Sequence, residues 1–433
     1  MSEAMTSQRV QRTYLTLLLL QTLAASLIWG INTLFLLDAG LSITEAFIAN
    51  AAFTAGMVVF EVPTGVVADA AGRRVSFILG AATLLVTTMA YLGLWYWGAG
   101  IMLWAIVSAL IGLGFTFFSG ATEAWLVDAL EATGYEGAID MVFGKGQTMT
   151  GAATLLGTIG GGFLAQLSLG VPYLMRSLLL VAVIVAAWLW MHDIGYTPRR
   201  SASIGHEVTT ILRASLKHGL GNRPVRMFML AAPFSMGVGI WVFYAFQPYL
   251  LQLFGDPNAF YLSGIAAAVY AVAQMVGGAS VRWVRRRVSS RTSVLIGQIV
   301  FSALALVGVG AAEWLDIPVG FWLAIILFAA ISLGWAISTP VQQAYMNALI
   351  PSQQRATVLS FSSLMGSAGG VVAQPVLGRV ADVYSLGLGY IVAGALWIMQ
   401  LPFIWAVRRM GLAAEQVAEP AEAADEITKP DLA

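Results

Sequence analysis

The chain has 433 residues, 59% of them hydrophobic and 10% charged, with 22 basic and 22 acidic side chains and a net charge of zero. Soluble domains carry about a quarter charged residues, so this surface is not built for water, and a balanced charge gives no reason to expect a nucleic-acid partner. There is no cysteine, which excludes disulfides, thiolate metal sites and thiol nucleophiles.

A short polar segment, residues 1–13, is followed by an apolar run long enough to span, so it reads as a cytoplasmic N-terminus and not as a cleaved signal peptide. A bilayer core needs about 20 apolar residues per helix. Such runs occur near 14–36, 46–68, 75–96, 100–128, 146–168 and 171–191, and again near 226–253, 259–284, 292–312, 317–349, 357–383 and 387–407. They are continuous, not alternating, so they predict helices and not barrel strands. The expected fold is an all-α membrane protein of twelve transmembrane helices in two six-helix halves, 14–191 and 226–407. Duplicated halves of this kind place a substrate site at their interface.

Between the halves, the polar linker 192–225 holds all three histidines, His192, His206 and His218, at spacings that form no metal motif. Val208, Ile211, Leu212, Leu216 and Leu220 recur there at helical spacing, which predicts an amphipathic helix on the membrane surface. The tail, 408–433, is acidic and rich in alanine, and is expected to be disordered. Arg9, Arg12, Arg73, Arg74, Lys145, the clusters 199–226 and 282–291, Arg355, Arg408 and Arg409 fall on one side of the bundle, while the loops on the other side carry no basic residue. By the positive-inside rule both termini and the linker are cytoplasmic.

Glu61-Val62-Pro63-Thr64-Gly65-Val66-Val67-Ala68-Asp69-Ala70-Ala71-Gly72-Arg73-Arg74 closes the second run. Gly65 permits close helix approach, Gly72 a tight turn, and Asp69 can accept from the arginines or from a helix N-terminus. Gly65, Asp69, Gly72, Arg73 and Arg74, placed between the second and third spans, resemble the loop signature of the major facilitator superfamily over a six-plus-six layout covering residues 14–407. Ala70 departs from that signature, which commonly has a basic residue there. Gly278, Arg282, Arg285, Arg286 and Arg287 repeat the spacing in the second half without the acid. The resemblance implies a charged hinge that locks the halves in one state and frees them in the other, with Asp128 as an ion-pair partner of Arg73 or Arg74. Gly144, Ala153, Gly157, Thr158, Gly161 and Gly162 are similar to a glycine motif of proton-driven exporters, with Thr158 in place of its proline. In the fourth span Gly112 and Gly114 match a second exporter motif, but Ser108 stands where that motif has arginine.

Ionisable groups at bilayer depth need a reason to be there. Glu61 and Glu123 are the candidate proton carriers; the alternative is that they hydrogen-bond neighbouring helices. Arg379 and Asp382 share a helix face and can pair locally. Arg176, near the end of the sixth span, reads as an anchor that snorkels to the interface, with anion binding as the alternative. Gln21, Trp29, Asn32, Trp241, Tyr244, Gln247, Trp335, Gln342 and Gln343 are the cavity candidates, on helices that line the centre in the family's architecture. Aromatics with a few amides suit an amphipathic solute of weak charge.

The expected function is secondary active transport of a small solute by alternating access, as proton-coupled export of drugs or amphipathic metabolites. The alternative is uptake of a sugar, organic acid or similar metabolite. A membrane enzyme is disfavoured: no phosphate-binding loop or metal motif is present. A sensor that kept the fold without transport is a further class. The expected partners are a small-molecule substrate, protons and the bilayer of a bacterial inner membrane, with no cofactor, no metal and no nucleic acid, and the chain is expected to work as a monomer.

Overall fold

The computed structural model describes residues 6–197, 219–350, 355–412 and 415. Every regular element among them is helical. The first half comprises α1 (Ser7–Trp29), α2 (Asn32–Asp38), α3 (Ile43–Ala71), α4 (Arg73–Trp97), α5 (Ile101–Thr116), α6 (Ala121–Ala132), α7 (Ile139–Ala165) and α8 (Val171–Trp190). The second comprises α9 (Arg223–Phe254), α10 (Tyr261–Arg287), α11 (Arg291–Ala311), α12 (Ile317–Leu349), α13 (Arg355–Val383), α14 (Leu386–Trp397) and α15 (Leu401–Arg409). The helix expected within the linker falls on residues outside those described, apart from Leu220.

Among the described residues, ten segments are long and apolar enough to cross a membrane. The other two long helices, α7 and α13, fall outside that set, and the packing explains why: α7 packs on α10 and α13 on α3, each against the opposite half. A helix screened from lipid by protein needs less apolar surface. Facing outward, Leu103, Ile106, Leu178, Val185, Leu304 and Ile326 stand exposed, as a lipid-facing belt requires.

Three of the expected continuous spans are interrupted. The first breaks at Gly30–Ile31 into α1 and α2, the fourth at 117–120 into α5 and α6, and the last at a 3-10 turn, Ile398–Gln400. Gly120 sits at φ 69°, a left-handed conformation that costs glycine little. Hydropathy does not register such breaks, because the residues on either side stay apolar. The helices also overrun the expected boundaries: α1 begins at Ser7, α9 at Arg223, and α15 runs through Arg409.

Within each half the helices pack in matching pairs. α1 lies on α7 and α8, and α3 on α5; correspondingly α9 lies on α13, and α10 on α12. The halves approach closely at Gly162 of α7 against Gly264 of α10, where an added Cβ on Gly162 would come within 2.8 Å of the Gly264 Cα.

Candidate functional site

The two ends of the bundle differ. On the face opposite the arginine clusters, polar contacts stitch the halves together: Thr44 Oγ1 donates to Asp382 (2.8 Å), Gln374 Nε2 to Thr54 Oγ1 (3.1 Å), and Gln166 Nε2 to the Asn258 carbonyl (3.0 Å). Arg379 joins the same cluster through Asp382 at 3.8 Å. Phe47 packs on Trp241 with ring centroids 5.6 Å apart. On the arginine-rich face no hydrogen bond or ion pair joins the halves among the described residues.

Gln247 completes the seal. The break between α1 and α2 strands backbone groups that a continuous helix would pair. Gln247 of α9 reaches across the interface, donating Nε2 to the Trp29 carbonyl (2.6 Å) and accepting the Thr33 N–H (3.0 Å). One amide of the second half thus satisfies both sides of a break in the first.

A cavity of about 850 Å³ is walled by the second half and by Trp29 of the first, and its lining runs to Met346, Asn347 and Leu359 towards the arginine-rich end. Trp29, Tyr244, Trp335, Gln342 and Gln343 line it, as the sequence suggests, together with Gln274, Gln298, Trp397 and Gln400, which the sequence reading missed. Trp335 and Trp397 stack at 5.0 Å and 19°, and both indole N–H groups lack a partner. The other four cavity candidates lie elsewhere. Trp241 is fully buried against Phe47 and Tyr390. Gln247 belongs to the seal. Asn32 donates to Asn50 (2.9 Å) and accepts from Tyr173 (3.0 Å) inside the first half. Gln21 keeps a buried Oε1 with no partner and does not line the cavity.

Arg176 is the largest correction. It does not snorkel: it is 1% exposed and points into the first half. Nε donates to Thr88 Oγ1 (3.1 Å), Nη1 to the Ala24 carbonyl (3.4 Å), and the guanidinium stands 5.8 Å from the Phe115 ring centre. A charge at bilayer depth costs about 2.5–3.5 kcal/mol or more, so this side chain is not there as filler.

The loop between α3 and α4 is held within its own half. Asp69 pairs with Arg73 at 2.7 Å. Arg74 does not meet Asp128, and no ion pair joins Asp128 to either arginine. Instead the Arg74 N–H, at the start of α4, donates to Asp193 (2.9 Å), its Nη2 to the Trp188 carbonyl (2.6 Å), and Tyr196 donates to the Asp69 carbonyl (2.6 Å). Gly72, at φ 107°, makes the turn, and a Cβ there would run into the Asp193 carboxylate. An acid just past α8 thus does the work expected of Asp128, because a helix N-terminus offers free N–H groups and a favourable dipole. Burial pushes the Asp193 carboxyl above the usual range, against the opposing pull of the Arg74 N–H and both arginines. Gly65 has nothing within 4 Å of an added Cβ.

Glu61 accepts from Ser119 Oγ (2.8 Å) at the break between α5 and α6. Glu123 is exposed in the first turn of α6, where the dipole favours a carboxylate, and Tyr14 of α1 is within electrostatic range. Neither lines the cavity.

Known proteins share this arrangement. The nucleoside transporter NupG superposes with a TM-score of 0.74 at 11% identity, covering 93% of this chain and 99% of that one. A D-xylose-proton symporter gives 0.65 at 16% identity over 92% and 96%. At such identities the likeness concerns fold alone. The sequence is 20% identical over 392 residues to YxaM of Bacillus subtilis (strain 168), an uncharacterised transporter of the same type, covering 88% of this chain and 92% of that protein. The profile of the Major Facilitator Superfamily matches residues 14–374. With its apolar helices, its paired halves and a family match over most of its length, this multi-pass membrane protein belongs to the major facilitator superfamily of transporters.

Proposed function

We propose that the protein carries a small amphipathic solute across the bacterial inner membrane by alternating access, as a twelve-span monomer that exports its solute against proton entry. The observation that carries the reading is a cavity walled by the second half and by Trp29 of the first, whose lining runs to Met346, Asn347 and Leu359 towards the arginine-rich end, while Gln247, Thr44–Asp382 and Thr54–Gln374 join the halves at the opposite end. With the arginine-rich face cytoplasmic by the positive-inside rule, this is the inward-open state. Closing that face and parting the seal would turn the cavity outward. Export is supported by the glycine face of α7, whose Gly157 and Gly161 press on Ser26 and Leu27 of α1, in the segment similar to the exporter motif. Glu123, exposed near Tyr14, and Glu61, at the α5–α6 break, are the proton sites.

A second reading, proton-linked uptake of a polar metabolite, is favoured by five glutamines in the cavity wall, Gln274, Gln298, Gln342, Gln343 and Gln400. Proteoliposomes with an imposed pH gradient separate the two. Export predicts accumulation against proton efflux from the lumen in vesicles whose arginine-rich face is outward; uptake predicts co-movement with protons. Glu123→Gln and Glu61→Gln should uncouple the flux from the gradient, and full coupling in both variants would end the proton assignment.

A further inference from the structure

Arg176 carries a fixed positive charge, since a guanidinium does not deprotonate in proteins. Around it stand neutral groups only: Thr88, the Ala24 carbonyl, the Phe115 ring, and the hydroxyls of Tyr91, Tyr173 and Tyr244 within electrostatic range. No carboxylate among the described residues comes within ion-pair distance, and Nη2 has no partner at all. Hydroxyls and carbonyls solvate a buried cation only in part, so the set lacks an anion. Tyr244 links this charge to the cavity: it comes from α9 in the other half, lies in range of the guanidinium, and lines the cavity wall. The unspent donor therefore stands one side chain behind the solute's path.

We propose that the carried solute is an organic anion, an oxyanion such as a carboxylate on a ring-sized apolar body. Its charged end pairs with Arg176 once Tyr244 moves aside, and its body occupies the part of the cavity walled by Trp335 and Trp397. The inference deepens the transport reading and rests on it for the word carried; the anion site itself rests on geometry alone. An arginine suits this role because its planar fork meets a carboxylate through two parallel hydrogen bonds.

The test uses the full chain in detergent, with melting temperature as readout. The probes are aromatic carboxylates, sulfonates and phosphate monoesters, each beside its neutral amide or alcohol, with chloride and inorganic phosphate as controls. At least one organic anion should raise the melting temperature while its neutral partner does not, and Arg176→Gln should weaken that anion by about tenfold or more, with Arg176→Lys between. Without any probe, Arg176→Met should melt no lower than the wild type, because it removes an uncompensated charge. The proposal fails if neutral partners act as well as anions, if no organic anion acts, if chloride or phosphate alone gives the whole effect, if Arg176→Gln keeps the response, or if Arg176→Met melts lower. Flux in proteoliposomes separates the two claims. Anion-specific stabilisation without flux would sink the carrier and keep the site, whereas neutral-solute flux untouched by Arg176→Gln would keep the carrier and sink the site.

Discussion

The two halves repeat one structural device with different chemistry. In the first half, Asp193 follows α8 and accepts the Arg74 N–H at the start of α4 (2.9 Å). In the second, Glu415 follows α15 and accepts the Thr292 N–H at the start of α11 (3.1 Å). Each acid comes just past the last helix of its half and accepts a backbone N–H in the first turn of a helix beside the motif's arginines. Yet Asp193 takes one backbone donor under a burial penalty that raises its carboxyl. Glu415 also meets burial that would raise it, but hydrogen bonds from Ser290, Thr292 and Tyr345 outweigh this and hold it below the usual range. Glu415 bonds Ser290, Thr292 and Tyr345 and none of the motif's arginines, so it is the counterpart of Asp193 and not of Asp69. Part of the tail expected to be disordered is therefore tied down at Glu415; 413–414 and 416–433 lie outside the described residues.

The comparison extends to the centre. The first half holds the buried charge and the Asn32–Asn50–Tyr173 chain, while the second supplies most of the cavity wall. The seal between them is the place to break this division first. The chain has no native cysteine, so Thr44→Cys with Asp382→Cys gives a clean pair at contacting side chains. Oxidation should arrest transport almost completely, and reductant should restore it. Unchanged flux in the cross-linked protein would mean that this face never opens.

The opposite face is probed by Gly65→Leu. Phe47, Thr54 and Gly65 lie on one stripe of α3 at helical spacing; the first two already touch the other half, through Trp241 and Gln374, and Gly65 touches nothing. A leucine there should block closure of the arginine-rich face and cut turnover by about tenfold or more, a gating cost of about 1.4 kcal/mol or more, with solute binding from that face retained. Normal turnover would remove Gly65 from the moving interface.

Much of this was readable beforehand. The runs of apolar residues gave the helices because a bilayer imposes its thickness on them, and the Gly65–Arg74 motif marked the turn at Gly72 and the Asp69–Arg73 pair. Of the cavity candidates, all three on α12 line the cavity but only Tyr244 of the three on α9 does, because helix order sets which helices are central but not which way each side chain faces. Arg176 was misplaced for a local reason. Its distance from the end of α8 suggested snorkelling, whereas the helical period already put it on the stripe of Tyr173, Leu180, Val183 and Ala187, all buried, and away from Leu174, Met175, Leu178 and Val185, all exposed. Asp193 and Glu415 escaped notice because each acts over more than a hundred residues of separation, on a helix N-terminus that no sequence period marks.

Gln247→Ala tests how far the halves depend on a single side chain. It leaves the Trp29 carbonyl and the Thr33 N–H unpaired, at about 1–3 kcal/mol for each buried group. Because those bonds exist only while this face is sealed, the loss should fall on this state alone and shift the population towards the opposite one. Accessibility labelling at the arginine-rich face should drop accordingly. A variant that melts lower without any change in labelling would make Gln247 a plain stability contact.

The smallest effects test the paired caps. Glu415→Ala removes three hydrogen bonds at the start of α11 and one from Tyr345 of α12, and should cost about 1–2 kcal/mol, the usual worth of a cap, read as a lower melting temperature and faster proteolysis of the tail. Asp193→Asn keeps an oxygen for the Arg74 N–H and drops a charge that burial disfavours, so it should change stability by less. The pH dependence runs in opposite directions. With its folded pKa depressed, Glu415 contributes stability that is present above its unfolded value and lost as pH falls through the folded one. With its folded pKa raised, Asp193 contributes stability that is present at low pH and lost as pH rises through the folded one. Both variants should therefore approach the wild type at low pH, where each carboxyl is protonated, and part from it with opposite signs as pH rises, Glu415→Ala melting below the wild type and Asp193→Asn level with it or above. Departures of the same sign at neutral pH would show that the two acids, for all their matching positions, are governed by the same balance after all.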